Sequence, residues 1–214
     1  MAATAHLVLD LDGTISNPAL GIGRSLNYAL EYFGYPKISD ALVSSFIGPP
    51  LDHAFRSITG TDSTTHITEL VAKYRERYSQ VGYSENVLYP GMPEAIALLA
   101  EAEVPLGICT SKRSDFAERI LSMFGLRQYF RFVDGGEIGV EKKHQLAGLV
   151  RAESISLSSF MVGDRAVDVE SAKDNGLRSI GVLWGHGTAE EIRMAGPDQV
   201  FNSPHQLVGL RLAV

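Results

Sequence analysis

From about residue 93 onward the chain alternates short apolar runs with stretches of helical spacing, and this limits the folds open to it more than any other feature. Runs at 105–110, 130–134, 159–163 and 178–183 read as strands, with a shorter one near 199–201. Stretches at 93–103, 114–124, 143–151, 166–175, 188–195 and 204–211 read as helices, and Gly125 and Gly176 mark two of their ends. Repeated βα units with such short connections imply an α/β fold with a parallel, doubly wound, Rossmann-like sheet. One further strand lies far upstream, at residues 6–10.

The intervening chain has a different rhythm. Ile22, Leu26, Leu30 and Phe33 fall at helical spacing, and Gly34 ends that helix. Ser39 suits the N-cap of a short helix through Phe46. Gly48-Pro49-Pro50 breaks the chain before a helix from Leu51 to Ile58, and Ile67, Leu70, Val71, Tyr74 and Tyr78 mark another over 65–80. No convincing strand interrupts residues 20–80. The expected organisation is a discontinuous core, 1–15 with 86–214, and an inserted helical cap, 16–85.

The 214 residues are 45% hydrophobic and 21% charged, which suits a globular protein of one large or two small domains. A net charge of −6 argues against a nucleic-acid partner, which calls for a clustered basic face. The apolar runs are too short to span a bilayer, and the N-terminal residues lack the basic start of a signal peptide. The expected location is therefore cytoplasmic. Cys109 is the single cysteine and reads as a small buried hydrophobe, with no intrachain disulfide possible.

The first strand ends in Asp10-Leu11-Asp12-Gly13-Thr14. Acids two positions apart on an extended chain point to the same side. They resist burial unless a cation sits between them. Mg²⁺ suits such a place, because it takes oxygen ligands from one or two carboxylates. Open α/β sheets bind ligands at the carboxyl ends of their strands. The plainer alternative is a capped Asp-Gly turn.

Three further places carry polar groups at strand ends. Thr110 ends a strand and runs into Ser111-Lys112-Arg113, where hydroxyls, cations and the next helix N-terminus can hold an anion. Simple helix capping by Ser111 or Ser114 is the commoner explanation for either residue alone. Glu141-Lys142-Lys143 precedes a helix. Val162-Gly163 runs into Asp164, with Asp168 four residues on, where an acid also offsets the helix dipole.

In order, these four places resemble the motifs of the haloacid dehalogenase-like hydrolase superfamily. DLDGT matches the first motif, Thr110 the second, Lys142 or Lys143 the third, and GDRAVD the fourth. The helical insertion after the first motif is similar to that of the phosphoglycolate phosphatase-like and 5'-nucleotidase-like branch. The resemblance implies that Asp10 is a nucleophile and that Asp12 is the acid and base. It also implies Mg²⁺ held by Asp10, the backbone carbonyl of Asp12, and Asp164, with Asp168 nearby. Thr110 and the lysine would bind phosphate oxygens. The third motif departs from the family in lacking its usual proline. Helical periodicity favours Lys142, since it places Leu146, Leu149 and Val150 towards the core.

The implied activity is hydrolysis of small phosphate monoesters, phosphoglycolate-type or nucleotide-type, through an aspartyl-phosphate. Asp12 argues against carbon-attacking dehalogenation. A sugar-phosphate mutase and a non-catalytic phosphate-binding regulatory protein are the alternatives. Gly13, Ser111, Lys112, Arg24 and Arg56 are the candidate substrate contacts, and the cap, including residues 46–51, would read the leaving group. Oligomeric state is not legible.

Overall fold

A computed structural model describes residues 4–136 and 140–210. In chain order the elements begin with β1 (Leu7–Leu9), β2 (Ser16–Asn17), α1 (Ala19–Tyr32), α2 (Asp40–Val43), α3 (Leu51–Thr59) and α4 (Thr64–Gln80). They continue with β3 (Val87–Leu88), α5 (Met92–Glu101), β4 (Leu106–Thr110), α6 (Ser114–Met123), β5 (Phe130–Gly135) and α7 (Lys142–Arg151). Last come β6 (Phe160–Gly163), α8 (Ala166–Asp174), β7 (Arg178–Val182), α9 (Ala189–Ala195) and β8 (Gln199–Phe201). Residues 18–87 form one compact unit, and the described residues on either side of them form another.

The flanking unit is built on a six-stranded sheet in the order β5-β4-β1-β6-β7-β8, with parallel pairing throughout. The chain starts in the middle, adds β4 and β5 on one side, then crosses back to add β6, β7 and β8 on the other. That reversal at β1 opens a crevice at the carboxyl ends of the central strands. Val8, Cys109 and Met161 share one face and pack with Leu146, Ile155, Ala172 and Leu177. Leu149 and Val150 join the same cluster partly buried, as the periodicity of α7 requires. Leu7, Leu9, Ile108 and Val162 are also fully buried, as strands covered on both faces must be. Burial pushes the Cys109 thiol far up, so it stays a neutral packing group.

In the inserted unit α1 packs along α4, burying Leu26, Leu30 and Leu70. Tyr74 stacks on Tyr78 at 5.4 Å and meets Phe55 edge-on. Ser39 stands in an extended backbone before α2, but its side chain makes no capping bond.

Two elements differ in detail from the sequence reading. The helix read over 204–211 is a 3₁₀ helix, Pro204–Gly209. Ser203 and Gln206 form a reciprocal cap that tightens this single short segment, and residue 211 lies outside the described residues. The first strand is also shorter than 6–10, so Asp10 stands just beyond its tip. Among the described residues, no helix is long and apolar enough to cross a membrane.

Candidate active site

β1 delivers Asp10 to the crevice, and the Asp10 backbone N–H still bonds across to Val162 on β6. The chain then turns sharply at Gly13, whose φ is +84°. A Cβ at Gly13 would stand 2.2 Å from Asp164 Oδ2, so only glycine lets the two strand tips approach. Asp164 leaves the tip of β6, and Asp168 sits in the first turn of α8. The ligand oxygens of Asp10, Asp164 and Asp168 lie within 4.8 Å of one another, and all three residues are buried.

Lys142 opens α7 and is itself buried. Its Nζ lies 3.1 Å from Asp10 Oδ2 and also contacts Asp168 Oδ1. The other Asp168 oxygen accepts from the Arg165 backbone N–H at 3.1 Å. Asp168 therefore orients Lys142 and the start of α8 as well as standing in the acidic cluster. Lys143 points elsewhere and pairs with Glu141 at 2.7 Å on the surface. Of the two adjacent lysines, the structure brings Lys142 into the cluster.

Asp12 is set apart from this group. Its Oδ2 pairs with Lys112 Nζ at 2.7 Å, while its Oδ1 is buried without a hydrogen-bond partner among the described residues. Asp10 Oδ1 instead accepts from the Leu11 backbone N–H at 2.8 Å. The two acids of the DLDGT stretch thus have different environments, which lets them take different roles. The Thr110 side chain is buried at the tip of β4, and its Oγ1 accepts from the Lys112 backbone N–H at 3.3 Å. Ser111 is exposed. Arg113 holds the N-cap position of α6, so neither Ser111 nor Ser114 caps that helix.

The electrostatics are those of an over-supply of acids. Burial raises Asp164 to about 7, with Asp168 and Asp10 adding to the effect. Burial also lifts Asp168 to about 6 against the pull of Lys142. It raises Asp12 too, again opposed by its lysine, here Lys112. Lys142 is pushed up despite its burial, because Asp10 and Asp168 favour its charged form. Three clustered carboxylates of which two resist ionisation form a donor set that a hard divalent cation would satisfy.

Several groups that line up on the site carry little sequence signal. The His186 backbone N–H donates to Asp164 Oδ2 at 2.7 Å, and Trp184 Nε1 donates to the Thr14 carbonyl at 2.9 Å. A Cβ at Gly187 would lie 1.8 Å from the Asp164 carbonyl oxygen. The glycines around His186 were the available signal for this loop. Tyr89 is half-buried, and its phenol is pushed up by burial and by the charges of Asp164 and Asp12. Gln145 is buried one turn along α7 from Lys142. Arg24 and Arg56 belong to the inserted unit, where Arg24 bonds Glu85 at 2.7 Å and Arg56 bonds the Asp62 carbonyl at 3.2 Å.

Comparison with known proteins agrees with this geometry. The model of the haloacid dehalogenase-like hydrolase family matches residues 7–182, and the chain belongs to that family. It is 34% identical over 196 residues to a 5'-nucleotidase of Pseudomonas aeruginosa, covering 90% of this chain and 88% of that protein. It is 30% identical over 207 residues to a phosphoglycolate phosphatase of Yersinia pseudotuberculosis, covering 92% and 89%. The solved structure of protein tyrosine kinase A of Mycobacterium tuberculosis superposes with a TM-score of 0.80 at 31% identity, over 97% of this chain and 99% of that one. This chain spans 64% of the full length of that kinase.

Proposed function

We propose that this chain is a Mg²⁺-dependent phosphatase of small phosphate monoesters that works through an aspartyl-phosphate on Asp10. The observation that carries the reading is the division of labour between the two acids. Asp10 stands in the buried acidic cluster against Lys142, while Asp12 stands outside it with one oxygen unpartnered. An Asp10 oxygen attacks phosphorus, the bond from phosphorus to the leaving oxygen breaks, and that oxygen takes a proton from Asp12. Burial supports the donor role by holding the Asp12 carboxyl above its ordinary range. Water then attacks phosphorus, Asp12 takes its proton, and inorganic phosphate leaves with Asp10 restored. Thr110 and Lys142 bind the phosphoryl oxygens, and Lys142 offsets the charge that gathers there. Mg²⁺, held by Asp10, Asp164 and the Asp12 carbonyl with Asp168 beside them, would supply positive charge to the phosphoryl group.

Phosphoglycolate-type and nucleotide-type esters come first in a substrate panel because relatives carry those names. We assign leaving-group preference to the inserted unit, through Arg24, Arg56 and residues 46–51, and further substrate contact to Gly13, Ser111 and Lys112. Arg24→Ala and Arg56→Ala should change kcat/KM between esters and change it less for p-nitrophenyl phosphate. Equal losses on every ester would instead assign both arginines to folding.

The decisive test separates the two acids. Asp10→Asn supplies no competent nucleophile and should form no phosphoenzyme. Asp12→Asn keeps the nucleophile and loses the acid and base, which is worth about 10²–10⁴ in rate. With p-nitrophenyl phosphate, whose leaving group needs little protonation, Asp12→Asn should give a burst of p-nitrophenol. After an acid quench, the Asp10 peptide should carry one phosphoryl group. Label on another residue, or normal turnover by Asp10→Asn, would overturn the mechanism. Transfer of the label to a second sugar hydroxyl would make the protein a mutase, and transfer to a tyrosine would make it a kinase. Binding of phosphate without turnover by the wild type would make it a binding protein.

A further inference from the structure

Gln145 lies three residues beyond Lys142 on α7, on the same face of the helix. It is 6% exposed, although glutamine is ordinarily a surface residue. Its Nε2 donates to the Thr110 carbonyl at 3.2 Å and lies 3.4 Å from Asp134 Oδ1. Both partners are acceptors, so the amide can face them only with its nitrogen. Its Oε1 is buried and has no hydrogen-bond partner among the described residues. An unmet buried acceptor is unfavourable, and a methionine would fill the same space without one. The donor is therefore what the position retains. That donor ties the first turn of α7 to the tip of β4 and reaches the tip of β5, where Asp134 stands in register with Cys109.

We infer that Gln145 is a positioning residue: by holding the Thr110 carbonyl it sets the Thr110 hydroxyl and the Lys142 ammonium at the spacing needed to grip one phosphoryl group. This rests on the phosphatase reading, in which those two groups bind the phosphoryl oxygens. In that role Gln145 acts through Thr110 and Lys142 rather than on the substrate, so its removal displaces the grip without abolishing the chemistry.

Two substitutions in the full chain test it. Gln145→Met keeps the length and removes the donor. Gln145→Glu keeps the shape and places a carboxylate against two acceptors. Steady-state kinetics with p-nitrophenyl phosphate and Mg²⁺ give kcat and KM, and calorimetry gives the affinity for inorganic phosphate. Gln145→Met should weaken inorganic phosphate about tenfold and lower kcat/KM by a similar factor, the size of one hydrogen bond. Its melting temperature should stay close to wild type, because the orphaned acceptor goes as well. Combined with Thr110→Val, the two losses should be less than additive, since both act on one grip. If Gln145→Met does not fold, Gln145→Glu gives the same readouts with the same expected direction. Unchanged phosphate affinity and kcat/KM in a folded variant, or losses that simply add, would overturn the inference and leave the phosphatase reading standing. A wild type that binds inorganic phosphate and hydrolyses no ester overturns that reading alone, and the phosphate affinities then decide on Gln145.

Discussion

Lys142 and Lys143 are neighbours in sequence with opposite surroundings, which makes them the sharpest pair for single substitutions. Lys142 is buried against Asp10 and Asp168, while Lys143 sits on the surface with Glu141. Lys142→Ala should lower kcat by about 10²–10³, the usual loss for one charge-stabilising contact. It should also destabilise the protein, because Asp10 and Asp168 are left buried and unpaired. Lys143→Ala should change neither. Steady-state kinetics and chemical denaturation measure both, and the reverse order would move the site by one residue. Helical periodicity favoured Lys142, since a core-facing stripe on α7 places that residue inside. Gln145 and the His186 N–H carried no comparable signal, because a helical glutamine looks solvated and a backbone donor has no side chain to read.

His6 couples stability to pH. It is buried at the start of β1, its Nδ1 lies 2.9 Å from the Thr4 carbonyl, and burial lowers its pKa. The folded protein then binds fewer protons than the unfolded chain below about pH 6.5. Stability from this residue is present above that pH and is lost as pH falls through the lowered folded value. His6→Gln should flatten that loss as pH falls below about 6.5. An identical pH dependence of denaturation midpoints in the two proteins would rule the role out.

At the scale of elements, periodicity revealed what is long and regular. The sheet strands and their helices each bury a continuous stripe, so their sequence period was visible. β2 and β3 are two residues each and pair with one another, too short to show any period. The 3₁₀ helix at Pro204–Gly209 has apolar residues at spacings that suit either helix type, so its tightening was not legible. The turn after β1 was legible in residue type, since Asp-Gly announces it, but not in its reason. Gly13 and Gly34 separate two uses of glycine. Both have positive φ, +84° and +79°. A Cβ at Gly34 meets nothing within 4 Å, while one at Gly13 meets Asp164. Gly34→Ala should cost only the left-handed backbone penalty, roughly 1–2 kcal/mol, with activity kept. Gly13→Ala should cost more and abolish activity by displacing Asp164. Denaturation and turnover on both variants check this, and active Gly13→Ala enzyme would contradict the close packing.

For the molecule as a whole, the balance of charge in the core unit would tie stability to a divalent cation bound at the acidic cluster. Among the described residues Asp10, Asp12 and Asp168 pair with Lys112 and Lys142, so with Asp164 four carboxyl groups stand beside two ammonium groups. Asp164 and Asp168 are raised to about 7 and about 6. Between the unfolded carboxylate value near 3.8 and those folded values, the folded state holds more protons than the unfolded chain. Their contribution to stability is therefore present at low pH and lost as pH rises towards about 7. A divalent cation at the same carboxylates would need them ionised, so its stabilisation should grow over the same range. Saturating Mg²⁺ at about 100 times its dissociation constant adds about 2.7 kcal/mol. That corresponds to several degrees in the melting of a protein of this size. The Mg²⁺-induced rise in Tm should therefore be clear at pH 7.5 and small at pH 5.5. Asp164→Asn should reduce it at pH 7.5, while the metal-free variant should melt higher than metal-free wild type, because one unwelcome charge is gone. Thermal scans with Mg²⁺ and with EDTA at both pH values measure all four quantities. A Mg²⁺ shift of the same size at both pH values, or one untouched by Asp164→Asn, would place the cation outside the acidic cluster.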